Sequence, residues 1–302
     1  MRNTFINTII DACKTRDDIF FISGDAGLGV FDEFKVKYPD RFLNLGVAEQ
    51  NMASFTAGLS MTGFKVYMYN IIPFVLYRCY EQVRNDICYQ ALPVTLVGIG
   101  SGITYAPQGM THYSIEDIGI ARTLPNLEII SPIDPVEAKL AASYSLNCQS
   151  PVYVRLAKRG EPNIHKDEYF DITKPQIIKE GNKIAILFHG SIGTEVMDSL
   201  EGVKRSPLVI SIPMISPLDY DLLLSMLKDI HTVITVEEHF IEGGLGTIIS
   251  DWIVRECLPF KLKKLGIKNE FIHAIKDNRS MRSFYGISSE NIKNVIECFE
   301  DE

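Results

Sequence analysis

Short runs of β-branched and aromatic residues alternate along this chain with longer segments whose apolar positions recur at helical period. Residues 19–23 (IFFIS), 66–70 (VYMYN), 93–99 (PVTLVGI), 127–131 (LEIIS) and 151–155 (PVYVR) are near-continuous apolar runs of strand length, the pattern of strands buried on both faces. Between them, 3–15, 48–61, 73–90 and 134–146 read as helices. The last opens on Asp134-Pro135, an N-cap followed by proline at the first helical position. A polar stretch from Lys158 to Gly181 breaks the rhythm. Strands then resume at 183–188, 207–212 and 231–236, with helices near 192–201, 218–229 and 244–257. Strand–helix alternation predicts parallel sheets covered by helices on both faces. The expectation is an α/β chain of two parallel-sheet domains, 1–160 and 182–302, joined by a linker at 161–181.

Composition narrows the class without naming a chemistry. With 302 residues, 46% of them hydrophobic and 23% charged, the chain resembles an ordinary soluble protein and can bury a core without a disulfide or metal staple. Its six cysteines are scattered with no CxxC pair, which favours reduced core thiols over metal or redox use. The net charge of −8, with no block of lysine or arginine, argues against a nucleic-acid partner. The N-terminus lacks the basic start and apolar core of a signal peptide, and the apolar runs are too short to span a bilayer. A soluble, cytoplasmic protein with no membrane partner is expected.

Three segments offer chemistry, each with an ordinary alternative. LNLGVAEQNMASFTAGLS (43–60) places one carboxylate, Glu49, after a glycine turn and at the head of a helix. A first-turn acid also simply suits the helix dipole. In FVLYRCYEQVRND (74–86), Phe74, Tyr77 and Tyr80 recur one turn apart, as either a core stripe or a ligand platform. GSGITYAPQGMTHYSIED (100–117) is a polar, glycine-containing loop carrying His112, a loop histidine that could equally be structural. Arg78, in the second segment, has Asp86 or Glu81 within reach as a salt-bridge partner.

Taken in order, LGVAEQNM, an aromatic FxxYR helix, and GxTH before LPNLEIISPIDPVEA resemble the pyrimidine-binding domain of transketolases and 1-deoxyxylulose-5-phosphate synthases. EEHFIEGGLG (237–246) is similar to that family's C-terminal domain, so the resemblance spans nearly the whole chain. It implies thiamine diphosphate as cofactor, with Glu49 as the catalytic acid at the pyrimidine nitrogen; that task calls for a buried carboxyl with a raised pKa. It implies that Phe74 and Tyr77 stack on the pyrimidine and that Asp25 lines the cofactor channel. His112 would act beside the reacting carbonyl. Arg155, Arg2 and Arg78 match arginines associated with a sugar phosphate, where the planar guanidinium can take two oxygens.

The departures concern the substrate wall. An upstream aromatic position is Ile71 here, the usual acidic pair falls on Pro107 and Gln108, and a His–Asp pair on Gly100 and Ser101. The family's diphosphate site, a GDG motif with a downstream Asn that holds Mg²⁺, is not matched; GDAG at 24–27 has no such Asn-bearing loop after it, and no metal ligand is assigned to this chain. The resemblance therefore implies an N-terminal partner subunit that binds the diphosphate and Mg²⁺, in an α2β2 heterotetramer, and an initiating Met just before the matching Arg2 suits a natural start. The activity implied is transfer of a two-carbon ketol unit between sugar phosphates. A deoxyxylulose-phosphate-synthase-like or 2-oxo acid-decarboxylating subunit, and a non-catalytic homologue, are the alternatives.

Overall fold

The computed structural model describes residues 1–158 and 160–300. In the first half, α1 (Arg2–Ala12), β1 (Ile19–Ser23), α2 (Asp32–Lys37), β2 (Phe42–Asn44), α3 (Glu49–Met61) and β3 (Lys65–Ile71) are followed by a short α4 (Tyr80–Gln82). Then come β4 (Thr95–Ile99), α5 (Asp117–Ala121), β5 (Glu128–Ile130), α6 (Pro135–Asn147) and β6 (Val152–Leu156). The second half contains β7 (Gln176–Lys179), β8 (Lys183–Phe188), α7 (Gly193–Asp198), β9 (Leu208–Ser211), β10 (Met214–Ser216) and α8 (Tyr220–Met226). It ends with β11 (Ile230–Phe240), α9 (Leu245–Arg255), β12 (Lys261–Ile267), α10 (Asn278–Phe284) and α11 (Ser289–Glu300).

Two sheets form, with strand orders β10-β5-β6-β4-β3-β1-β2 and β12-β11-β8-β9-β7. The two α/β layers expected are present, yet each sheet is mixed. β10 joins the first sheet antiparallel to β5, and β7 joins the second antiparallel to β9. β10 comes from the second half of the chain, so the first sheet is completed by the second domain. β7 lies inside the segment expected to be linker, so the second sheet begins before Gly181. We propose that the domain limits follow the sheets, with this strand exchange across them.

Packing, more than capping, holds the helices. α1 has no side-chain N-cap bond, but its Phe5, Ile6 and Ile9 are buried against Ala138, Ala141 and Ala142 of α6. Each fully buried large apolar side chain contributes about 1.5–3 kcal/mol. α6 has both devices: the Asp134 carboxylate accepts the Glu137 N–H at 2.9 Å, and Pro135 opens the helix as expected. On the opposite face, Met52, Ala53 and Ala57 of α3 share a core with Ile118 and Leu124, and that core continues into Leu187, Leu245 and Trp252 of the second domain.

The single helix expected over 73–90 is broken. Residues 73–77 and 83–88 form wide π-helical turns, closed by Arg78 N–H to Pro73 C=O at 3.1 Å and Tyr89 N–H to Arg84 C=O at 2.9 Å. Cys79, at φ −121°, interrupts them. Such turns occur frequently at functional sites and change which side chains share a face. Tyr80 accordingly bonds Thr123 through its hydroxyl, apart from Phe74 and Tyr77.

The connecting segment is tied down. The Ile164 and His165 N–H groups donate to Asp134 at 2.8 Å each, and His165 Nε2 meets Glu137 Oε1 at 2.8 Å. Glu137 is buried and also accepts from the Ile133 N–H and the Ser211 hydroxyl, joining strap, α6 and second sheet. Burial alone would lower the His165 pKa, but the Glu137 hydrogen bond and charge outweigh it and raise it above the usual histidine value. Burial likewise raises Glu137. The folded state therefore holds the His165 proton more tightly, so the His165 contribution is full below pH about 6.5 and fades as pH rises through the shifted value. His165→Gln should cost about 1–2 kcal/mol near pH 6 and much less above pH 8, measured by urea unfolding at both pH values.

Candidate functional site

The C-terminal ends of β1, β2 and β3 converge on one carboxylate. Glu49 opens α3 and is 2% exposed. Its Oε1 accepts from Asn70 Nδ2, at the end of β3, at 3.2 Å, and its Oε2 pairs with Arg78 Nη1 at 2.9 Å. Asn70 is held in turn, its Oδ1 accepting the Ile71 N–H at 2.8 Å. Gly24 makes room for this contact: a Cβ there would sit 2.6 Å from Asn70 Nδ2. The Asn44 side chain ties the neighbouring loops together by accepting from the Gly46 N–H at 2.8 Å and the Asp25 N–H at 3.2 Å. Asp25 is exposed at φ +36°, a left-handed conformation that costs a non-glycine residue energy and is concentrated at functional sites.

The cation facing Glu49 is also part of an aromatic group. The Arg78 guanidinium lies 4.0 Å from the centre of the Phe74 ring, and its side chain is 42% exposed. The salt bridge to Asp86 or Glu81 does not form, because Arg78 turns to the buried Glu49 while Asp86 takes the Ser54 hydroxyl. One nitrogen of its guanidinium, Nη1, is engaged by Glu49. Phe74 meets the His112 ring edge-on at 6.1 Å, and His112 meets Tyr105 at 6.0 Å. Thr111 Oγ1 lies 2.9 Å from His112 Nδ1. Beyond Tyr105 stand Lys158, with its ammonium 4.8 Å from the ring centre, and Arg2, whose charge partly offsets the burial that raises the Tyr105 hydroxyl pKa. Glu49, Phe74, His112 and Arg2 thus mark successive stages from a buried acid to a basic rim.

Tyr77 is partly buried on the same turn as Phe74, and its hydroxyl donates to Glu116 Oε2 at 3.3 Å. Burial first, then the charges of Asp117 and Glu116, hold its pKa well above the usual tyrosine value.

Arg155 is placed otherwise than expected. It is 1% exposed, and its Nε donates to Asp117 Oδ2 at 2.7 Å. Its Nη2 donates to the carbonyls of Ser114 and Glu238, each at 2.9 Å. A guanidinium so enclosed, with its Nε and Nη2 donors directed at protein oxygens, acts as a structural joint between the domains. A buried polar residue at a strand end carries no mark in sequence that separates these roles. The residues that sequence reasoning missed are Asn70, Glu116 and Asp117. The ED pair directly after GxTHYSI was the available signal for the last two.

Comparison with known proteins covers both halves of the chain. The family model for the transketolase pyrimidine binding domain matches residues 1–162, and that for the transketolase C-terminal domain matches residues 173–292. The chain is 34% identical to a subunit of the apulose-4-phosphate transketolase of Actinobacillus succinogenes, covering 98% of this chain and 96% of that protein. It is 32% identical to a putative transketolase C-terminal section of Methanocaldococcus jannaschii, over 100% of this chain and 97% of that one. Among solved structures, a split gene transketolase in the form of an inactive beta4 tetramer superposes with a TM-score of 0.88 at 24% identity, covering 98% and 96% of the two chains; that likeness concerns the fold.

The buried joint yields a stability test. Arg155→Met leaves Asp117 buried without its cation and should cost about 3–5 kcal/mol in urea unfolding of the chain alone. Replacing both partners by apolar residues of similar volume should recover much of that loss. A wild-type unfolding midpoint in Arg155→Met would contradict this assignment.

Proposed function

The chain belongs to the transketolase family, and on that premise we propose that it is the C-terminal subunit of a heteromeric, transketolase-like enzyme that passes a two-carbon ketol unit between sugar phosphates using thiamine diphosphate. The observation that carries this reading is Glu49: a buried carboxyl at the head of α3 whose cation, Arg78, is half open to solvent and free to withdraw. A carboxylate with a permanent role in the core would need a permanent partner.

The residues present suit the cofactor's aminopyrimidine. The flat Arg78 guanidinium already lies against the Phe74 face while donating to Glu49, which is the chemistry asked of a flat ring bearing a basic nitrogen. When bound, thiamine diphosphate supplies a carbon nucleophile able to break and make the bond beside a carbonyl. On this reading Glu49 holds and shares a proton at the pyrimidine nitrogen, and Asn70 keeps its carboxyl aimed there. Phe74 and Tyr77 form the flat clamp that excludes water and orients the ring. Asp25 borders the channel on the β1 side. His112, between Phe74 and Tyr105, exchanges protons with oxygen atoms of the sugar. Arg2 and Lys158 at the rim suit the phosphate, and Arg78 joins them once a ligand displaces it from Glu49; the buried Arg155 does not.

The diphosphate and Mg²⁺ are assigned to an N-terminal partner subunit, because the GDG motif and its Asn are not matched here. The assembly proposed is α2β2, in the cytoplasm; among the described residues no helix is long and apolar enough to cross a membrane. The sugar-phosphate class is supported by the Actinobacillus relative, named for apulose 4-phosphate, and by the basic rim.

Reconstitution tests the reading. The chain alone should bind thiamine diphosphate weakly and show no ketol transfer. Adding the diphosphate-binding subunit should confer both, read by calorimetric titration and by a coupled assay over several ketose phosphates. Tight, magnesium-dependent cofactor binding by the isolated chain would defeat the half-site claim.

A further inference from the structure

Tyr77 and the residues behind it form a continuous set of contacts that ends in the second domain. The Tyr77 hydroxyl donates to Glu116 Oε2, and the same oxygen accepts the Ile115 N–H at 2.9 Å. Glu116 immediately precedes α5, and the next residue, Asp117, accepts from Arg155 Nε and from the Tyr153 hydroxyl, both at 2.7 Å. The stretch 114–117 is clamped from the other side by β11. The Phe240 N–H donates to the Ile115 carbonyl at 2.7 Å, and Arg155 bridges the Ser114 and Glu238 carbonyls. Glu238 is itself buried and fixed, its carboxylate taking Arg282 Nε and the Ser191 hydroxyl. Gly102 lets the 100–112 loop approach that strand, since a Cβ there would lie 2.5 Å from the Glu238 Cβ.

Glu116 therefore has little freedom. Its carboxylate meets the Tyr77 hydroxyl, and its neighbours Ser114, Ile115 and Asp117 are held by bonds from two domains. We infer that Glu116 is a positioning residue: through the Tyr77 hydroxyl it fixes the aromatic clamp, and β11 of the second domain, directly at Ile115 and by way of Arg155 of β6, fixes the stretch that carries Glu116. The EEH end of β11 thereby acquires a role beyond joining two sheets. This inference rests on the reading of Phe74 and Tyr77 as the cofactor clamp.

A tyrosine ring with its hydroxyl anchored is held in one orientation, whereas phenylalanine or an unanchored tyrosine must be ordered by the ligand itself, and that ordering weakens binding. Loss of one such hydrogen bond corresponds to about a fivefold change in affinity. The experiment is a titration of thiamine diphosphate, with Mg²⁺ present, into the reconstituted complex carrying Tyr77→Phe, Glu116→Ala, both together, or Glu116→Gln, with melting temperatures recorded in parallel. Tyr77→Phe and Glu116→Ala should each weaken cofactor binding about fivefold, and the double variant should be no weaker than either, because both remove the same bond. Glu116→Gln keeps an acceptor for the hydroxyl and should restore near wild-type affinity. Since Glu116→Ala could fail to assemble, Tyr77→Phe against Glu116→Gln decides alone, the first weakened and the second not. Unchanged affinity in Tyr77→Phe, or additive losses in the double variant, would overturn the inference. A wild-type complex that binds no thiamine diphosphate would instead overturn the functional reading and the inference with it.

Discussion

A carboxylate withdrawn from water costs several kcal/mol unless a cation or several donors meet it, and the layout of this chain follows from that constraint. Asp117 meets Arg155, Glu137 meets His165, Glu238 meets Arg282, and Glu237 takes the N–H groups of Leu245 and Gly246. Each of these partners is itself enclosed or is part of the backbone. Two of these residues also reach across, Arg155 to the Glu238 carbonyl and Glu137 to the Ser211 hydroxyl, so the domains share one polar joint as well as one apolar core. Glu49 is the exception. Its cation stands at the surface on a wide helical turn, beside an aromatic ring, where a ligand can replace it.

That contrast separates holding the fold from doing chemistry. The joint uses the more demanding residues, Arg155 and the EEH end of β11, all of them buried. The site uses the ends of β1, β2 and β3, where open α/β sheets present their loops. Between the two lies the 114–117 stretch, bonded to the joint through Asp117 and to the site through Glu116. The second domain, which supplies none of the groups assigned to the cofactor, thus sets the geometry of those that are.

Much of the fold was legible in the chain because its central strands are continuous apolar runs and its helices carry a clear period. β2 and β10 were not legible, being three-residue strands outside any longer apolar run of strand pattern, and β12 (KLKKLGI) carries three lysines on an exposed edge. The turns over 73–88 were misjudged because a π-turn and an α-turn draw on the same residues. At the site, Glu49, Phe74, Tyr77 and His112 were visible in ordered motifs. Arg155 was visible as an arginine at a strand end, but its partner lies 38 positions earlier in the chain, and no local pattern announces that pairing.

Glu49, as a carboxyl that shares a proton with the cofactor, is the residue on which the proposed chemistry depends. Glu49→Gln keeps the shape of the side chain and a partner for Asn70, while removing the exchangeable carboxyl proton. The direct measurement is proton–deuteron exchange at the acidic carbon of thiamine diphosphate bound to the reconstituted complex. Exchange slowed by about a hundredfold or more, with assembly and melting temperature near those of wild type, is the result predicted for a catalytic acid. Exchange at the wild-type rate would reduce Glu49 to a first-turn helix acid, worth about 1 kcal/mol of stability at most, and would contradict the central claim.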